Sequence, residues 1–276
     1  MGGFLRAAGL AALGVSGCAI LVDTEDLAGG PDTKQESPTS VDGSGAPGSD
    51  GGTADERGGG TSDAARDGPL PPPSCPSNAL LCDGFEDGNF QRWSRTFEYP
   101  TGQQSFDTRN VHSGALSLHT VVGDAENPTG VGVSYDLPRP LSAGTFAARA
   151  YVYSAEVPKV WTDLMRLARD GTFMSMGIAA PHWRAHTWDL VLTYSRETFE
   201  PGVWHSVEWV VEVGSPGRQT VYVDEAPVID EVKDTAPSGF AGWSEFLFGI
   251  VFNEGDKGAD IYFDDVAIGT SRIGCR

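Results

Sequence analysis

The chain has 276 residues and a formal charge of −19, from 38 acidic and 19 basic side chains. No Lys/Arg stripe offsets that excess, which argues against a nucleic-acid backbone as partner and weakens the case for strongly anionic substrates outside a local basic cleft. All seven tryptophans lie within residues 75–276. The material for a hydrophobic core is therefore gathered there, in a length that suits one domain.

At the N-terminus Arg6 precedes an apolar run from Ala7 to Val15. That run is too short to span a bilayer and has the flanks of a secretory signal. The next residues, Val15-Ser16-Gly17-Cys18, resemble a lipobox, whose cysteine sulfur accepts a diacylglyceryl group. The resemblance implies removal of residues 1–17 and lipidation of Cys18. With Ala19 rather than Asp following, it also implies an outer-membrane or cell-surface location, held by the lipid anchor alone. Residues 23–74 carry 11 acidic and 3 basic side chains, no aromatic residue, and a run Pro71-Pro72-Pro73. Too little apolar area exists to offset the entropy of ordering such a chain, so residues 18–74 are expected to form a disordered tether. A flexible segment of that length has a root-mean-square span of roughly 40 Å.

Beyond residue 80 the pattern is that of strands, with no amphipathic helix. Extended segments are expected at 80–86, 103–107, 115–122, 131–137, 144–154, 160–169, 172–180, 186–194, 203–213, 218–224, 245–253 and 259–269. They are rich in Val, Tyr, Trp, Phe and Thr, and Gly, Pro and Asn/Asp separate them. The clearest alternation puts His205, Val207, Trp209 and Val211 on one face, with Trp204, Ser206, Glu208, Val210 and Glu212 on the other. This many strands in one domain implies an all-β fold of two packed sheets, a sandwich or jelly roll.

Four segments carry a family resemblance: CDGFEDGNFQRW, VHSGALSLHT, WHSVEWVVEV with RQTVYVDEAPV, and IYFDDVAIG. They resemble the landmarks of concanavalin A-like or laminin G-like jelly rolls and cover most of residues 80–270. A Gly-rich acidic linker ahead of such a domain is similar to outer-membrane lipoproteins of myxobacteria. The resemblance implies fold more than activity. By similarity to carbohydrate-binding jelly rolls, it implies that Glu86 and Asp264 or Asp265 supply ligands to a structural Ca2+ ion. Asp83 belongs to the same acidic set, and the alternative is that these acids sit at turns and edges facing water.

Three cysteines remain after Cys18. If the first and last strands pair with Phe85 opposite Asp265, Cys75 falls opposite Cys275, favouring a terminal disulfide over Cys75–Cys82. Recognition is expected at His182, Trp183, Arg184, His186, Trp188 and Tyr194. A tryptophan face stacks on a sugar ring, His and Arg donate to hydroxyls, and Arg184 suits the carboxylate of an acidic sugar. Here Trp183 and Arg184 are read as a turn and Trp188 as part of the strand after it; one core tryptophan in a turn is the alternative. Arg166 and Arg169 are further candidates for the same face.

Enzyme signatures are weak. Glu208 and Glu212 share a face but lie roughly 13 Å apart along a strand, too far for the usual pair of glycosidase acids. The residue types of a polysaccharide lyase are present in His182, His186, Tyr194 and Arg184, without the ordered motifs of alginate-lyase relatives. The folded part has no Gly-x-Ser-x-Gly elbow and no phosphate cradle. The expected function is therefore binding of a polysaccharide or glycoconjugate at the cell surface. The alternatives are a carbohydrate-active enzyme, lyase or hydrolase, and a protein-binding or structural surface domain.

Overall fold

A computed structural model describes residues 75–255 and 257–274. The expected signal segment 1–17, the lipidated Cys18, the tether to residue 74 and Cys275 lie outside the described residues. In chain order the strands are β1 (Ala79–Asp83), β2 (Arg95–Glu98), β3 (Gly102–Asp107), β4 (Ser117–Val122), β5 (Thr129–Leu141), β6 (Gly144–Tyr153), β7 (Thr162–Arg169) and β8 (Thr172–Ala179). They continue as β9 (His182–His186), β10 (Leu192–Thr198), β11 (His205–Val213), β12 (Arg218–Val223), β13 (Ala226–Glu231), β14 (Trp243–Asn253) and β15 (Ala259–Gly269).

These strands form the expected all-β, two-sheet sandwich. One sheet has eight strands in the order β13-β12-β11-β6-β15-β4-β3, with β1 also paired to β15. The other has seven in the order β10-β9-β8-β7-β14-β5-β2. The pairings between strands are antiparallel. Period-two alternation sends one set of side chains from each sheet into a shared interior, where Trp183, Trp209, Trp243, Phe146, Phe246, Phe248 and Phe263 are buried. Burying a large apolar side chain contributes about 1.5–3 kcal/mol, so these rings are among the largest single contributions to folding.

The alternation read in β11 holds: Val207, Trp209 and Val211 are buried in the core. Its other face is covered in part, at Glu208, which accepts hydrogen bonds from the backbone N–H groups of Ile273 and Gly274, while Glu212 stays exposed. Two short strands, β2 and β13, were not expected; both lie at sheet edges, β2 being mostly polar and β13 following β12 across a turn of only Asp224 and Glu225. The segment 186–194, expected as one strand, is instead the end of β9, a turn in which Leu190 N donates to Thr187 O at 2.9 Å, and the start of β10.

The disulfide expectation is corrected. Cys75 is bonded to Cys82, with their Cα atoms 5.8 Å apart. The first and last strands do pair, but Cys82 faces Ala267 and Asp83 faces Val266, one residue from the assumed register, with an irregularity between Ala79 and Leu81. Ahead of β1 the chain turns back, Ala79 N donating to Pro76 O at 3.0 Å. That turn carries Cys75 towards its near neighbour rather than onward along β15.

Candidate functional site on the seven-stranded sheet

The outer face of this sheet is assembled by register. Arg184 of β9 stands opposite Gly177 of β8 on one side and Tyr194 of β10 on the other. His186 stands opposite Ser175, which in turn faces Arg166 of β7. Asp163 faces Gly177. Residues 163 and 166 differ in parity, yet share a face because the β7–β8 register shifts between Asp163 and Met165, the extra residue being Leu164. A glycine is required at 177: a Cβ there would lie 2.1 Å from the Thr162 carbonyl oxygen.

Asp163 is the hub. It is ion-paired with Arg184, and its other oxygen accepts from Arg166 Nη2 at 2.8 Å. Trp161 Nε1 also donates to it at 2.8 Å. The Arg184 guanidinium lies over the Trp161 ring, 3.7 Å from its centroid, and that of Arg166 lies 4.1 Å from the centroid of Phe173. Burial lowers Arg184 to about 9 and Arg166 to about 10, so both stay cationic at neutral pH. Burial also pushes His186 down to about 4, and the nearby guanidiniums add to the shift. The neutral ring then donates from Nδ1 to the Thr187 carbonyl at 3.0 Å, leaving Nε2 to accept from Ser175 Oγ at 2.7 Å. The buried cluster thus holds two guanidinium charges and one carboxylate, a surplus of one positive charge in a low-dielectric setting. The next carboxylate that acts on Arg184 is the exposed Glu254.

The expected recognition residues separate into three groups. Trp183 corrects the expectation most sharply: it is in β9, not in a turn, and points into the core against Phe199 and His205, where no sugar reaches it. Trp188 lies in the turn after β9 and packs its ring against the same core. Arg184 and His186 are on the outer face but fully buried, out of reach of direct contact with anything on the surface. Tyr194, 52 % exposed, and the half-buried His182 remain open to solvent. Arg166 joins them with 17 % of its side chain exposed. Asp163 and Ser175 were not anticipated, because their partners are supplied by neighbouring strands.

The expected calcium ligands occupy a different region. Glu86 accepts from the backbone N–H groups of Ala115 and Leu116. Asp264 accepts from His112 N at 2.9 Å and Ser113 N at 3.1 Å, while Asp265 binds Ser113 Oγ and His112 Nδ1. The three acids therefore tie down successive parts of one loop, residues 112–116. Among the described residues no group of three or more His, Cys, Asp or Glu side chains converges as a metal site. Asp83 is held apart, accepting from Trp93 Nε1 at 2.8 Å. Burial, reinforced by the Asp265 charge, raises Asp264 to about 8.

No family model matches the sequence, and no curated protein matches it either. Among solved structures, the chain is similar to the cellulose-induced protein Cip1, with a TM-score of 0.56 and 16 % identity over 71 % of this chain and 100 % of that one. It is likewise similar to an endo-β-1,4-glucuronan lyase from the fungus Trichoderma reesei, with a TM-score of 0.58 and 16 % identity over 70 % of this chain and 96 % of that one. At this identity the likeness is one of fold: the described domain is an all-β, two-sheet sandwich distantly similar to those carbohydrate-related proteins.

Proposed function

We propose that this domain binds an acidic polysaccharide on the outer face of its seven-stranded sheet. The observation that carries the reading is the Arg184–Asp163–Arg166 cluster, whose surplus positive charge lies beneath an open face in a chain that is otherwise strongly acidic. Arg166 would pair with a uronate carboxylate, and Tyr194 would stack on the sugar ring beside it. Arg184 and His186 would act from below, by holding Asp163 and the strand geometry.

Retention of the full chain on polyuronates and on neutral polysaccharides of similar length tests this. Polyuronates are expected to be held more tightly, with roughly tenfold weaker binding in Arg166→Ala and in Tyr194→Ala. Equal retention of neutral and acidic polymers by the folded protein would overturn it.

A second reading, cleavage of the same polymer by β-elimination, is favoured by the position of Tyr194 opposite Arg184. Tyr194, acting as its phenolate, would take the C5 proton while the guanidiniums offset charge on the adjacent carboxylate; the C4–O bond would then break and the phenol so formed would hand that proton to the leaving oxygen. A new ultraviolet absorbance from the C4–C5 double bond identifies this chemistry; bound but intact polymer rejects it. Surface display through Cys18 is proposed on the sequence alone, and incorporation of labelled fatty acid that disappears in Cys18→Ser is its expected signature.

A further inference from the structure

On the opposite side of the sandwich, the outer face of the eight-stranded sheet carries a row of aromatic rings where solvated side chains would be expected. His119 of β4 stacks flat on Tyr262 of β15, with centroids 4.1 Å apart and planes 2° from parallel. Tyr153 of β6 meets Tyr262 edge to face at 5.8 Å and Trp204 at a 40° tilt and 5.5 Å. Trp204 then meets the edge of His112, which itself stacks on Tyr151 at 3.5 Å.

The row borders an open cleft of about 380 Å³, lined in part by Tyr153, Tyr262, Asn110, Glu156, Lys159 and Asp260. That volume falls within the range of small-molecule sites, roughly 300–1,000 Å³. Tyr153 is distinctive among the rings that line the cleft. Tyr262 is already stacked flat on His119, whereas no ring or guanidinium among the described residues lies flat on Tyr153.

We infer that this cleft is a second saccharide site, taking a neutral glycan of about two sugar units with one ring laid on Tyr153. The chemistry is read from the walls. A tyrosine face suits the C–H face of a pyranose, and the carboxylates of Glu156 and Asp260 accept from sugar hydroxyls. Neither acid calls for a cationic ligand: Glu156 is 3.5 Å from Lys159 Nζ, and Asp260 is hydrogen-bonded to His119 at 2.8 Å. Their oxygens do disfavour a uronate. The cleft therefore differs in specificity from the opposite face, and the inference does not depend on what that face binds.

Calorimetric titration of the full chain with neutral oligosaccharides (gluco-, xylo- and manno-series) and with oligouronates tests it. Saturable binding of a neutral series is expected, weakened roughly tenfold or more by Tyr153→Ala and by Glu156→Ala, and unchanged in Arg166→Ala. Glu156 is exposed, so its variant reports on the cleft even if Tyr153→Ala perturbs folding. Three results would overturn the inference: no neutral series binding to folded protein, binding that survives in Glu156→Ala and in any folded Tyr153→Ala, or binding abolished by Arg166→Ala. Loss of oligouronate binding alone would instead count against the reading of the seven-stranded face.

Discussion

On the seven-stranded sheet, the outer side of β9 is closed by side chains: Arg184 and His186 are buried by an ionic and aromatic cluster gathered from β7, β8 and the Trp161 segment. On the eight-stranded sheet, the outer side of β11 is covered at Glu208 by the C-terminal tail, whose Ile273 and Gly274 backbone N–H groups donate to that carboxylate, while Glu212 on the same side stays exposed. The first solution brings charges out of water and must balance them within the cluster. The second uses one carboxylate to hold a segment in place, with Arg149 Nη1 donating to the Gly274 carbonyl at 2.8 Å. The two faces should therefore fail differently.

The largest expected effect is at Asp163. Replacement by Ala leaves two buried guanidiniums without their shared anion, and urea unfolding should show a loss of about 3–5 kcal/mol. Trp183→Ala should cost a similar amount, about 3–5 kcal/mol, through a core cavity. It separates packing from recognition, since polysaccharide affinity per folded molecule should be unchanged; a selective loss of affinity would return Trp183 to the binding surface.

Acid should weaken the seven-stranded face next. The folded pKa of His186, about 4, lies below its ordinary 6.5. Its contribution is present above pH 6.5 and lost as pH falls towards 4, up to about 3 kcal/mol. Asp264 has the opposite sign: with a folded value of about 8 against 3.8, its contribution is present at low pH and lost as pH rises through 8. Thermal melts of wild type and His186→Gln isolate the histidine, and the variant should show the shallower loss between pH 6.5 and 4. Identical slopes would sink the assignment.

On the eight-stranded face, Glu208→Ala should cost about 1–3 kcal/mol. Its distinguishing sign is faster amide exchange confined to Ile273 and Gly274. Tyr194→Ala should be smallest, within about 0.5 kcal/mol, because the side chain is largely exposed.

The fold was legible where alternation was clean. In β11 a two-residue period fixed which way Trp209 points, and the segments rich in Val and aromatic residues became strands. The β9 segment was misread because His-Trp-Arg-Ala-His has the composition of a polar loop. Its alternation is nonetheless regular, with Trp183 and Ala185 inward and the other three outward. What makes that strand tolerable is Asp163, remote in sequence, placed on the same face as Arg166 by a register shift that no local pattern announces. The disulfide failed for a similar reason: a one-residue register error and a turn at Pro76 redirect a cysteine that simple extrapolation sends along β15.

The same disulfide has a mechanical consequence. A pull applied through the chain ahead of Cys75 passes across the sulfur bridge to Cys82, so the intervening residues 76–81 are bypassed and the ladder of Ala79 and Leu81 with β15 carries little load. Force enters the sandwich directly at Cys82, opposite Ala267. Reduction would lengthen the extensible chain by the contour of that short loop and shift the first point of tearing to the start of β1, making the resistance of the domain to traction dependent on its redox surroundings.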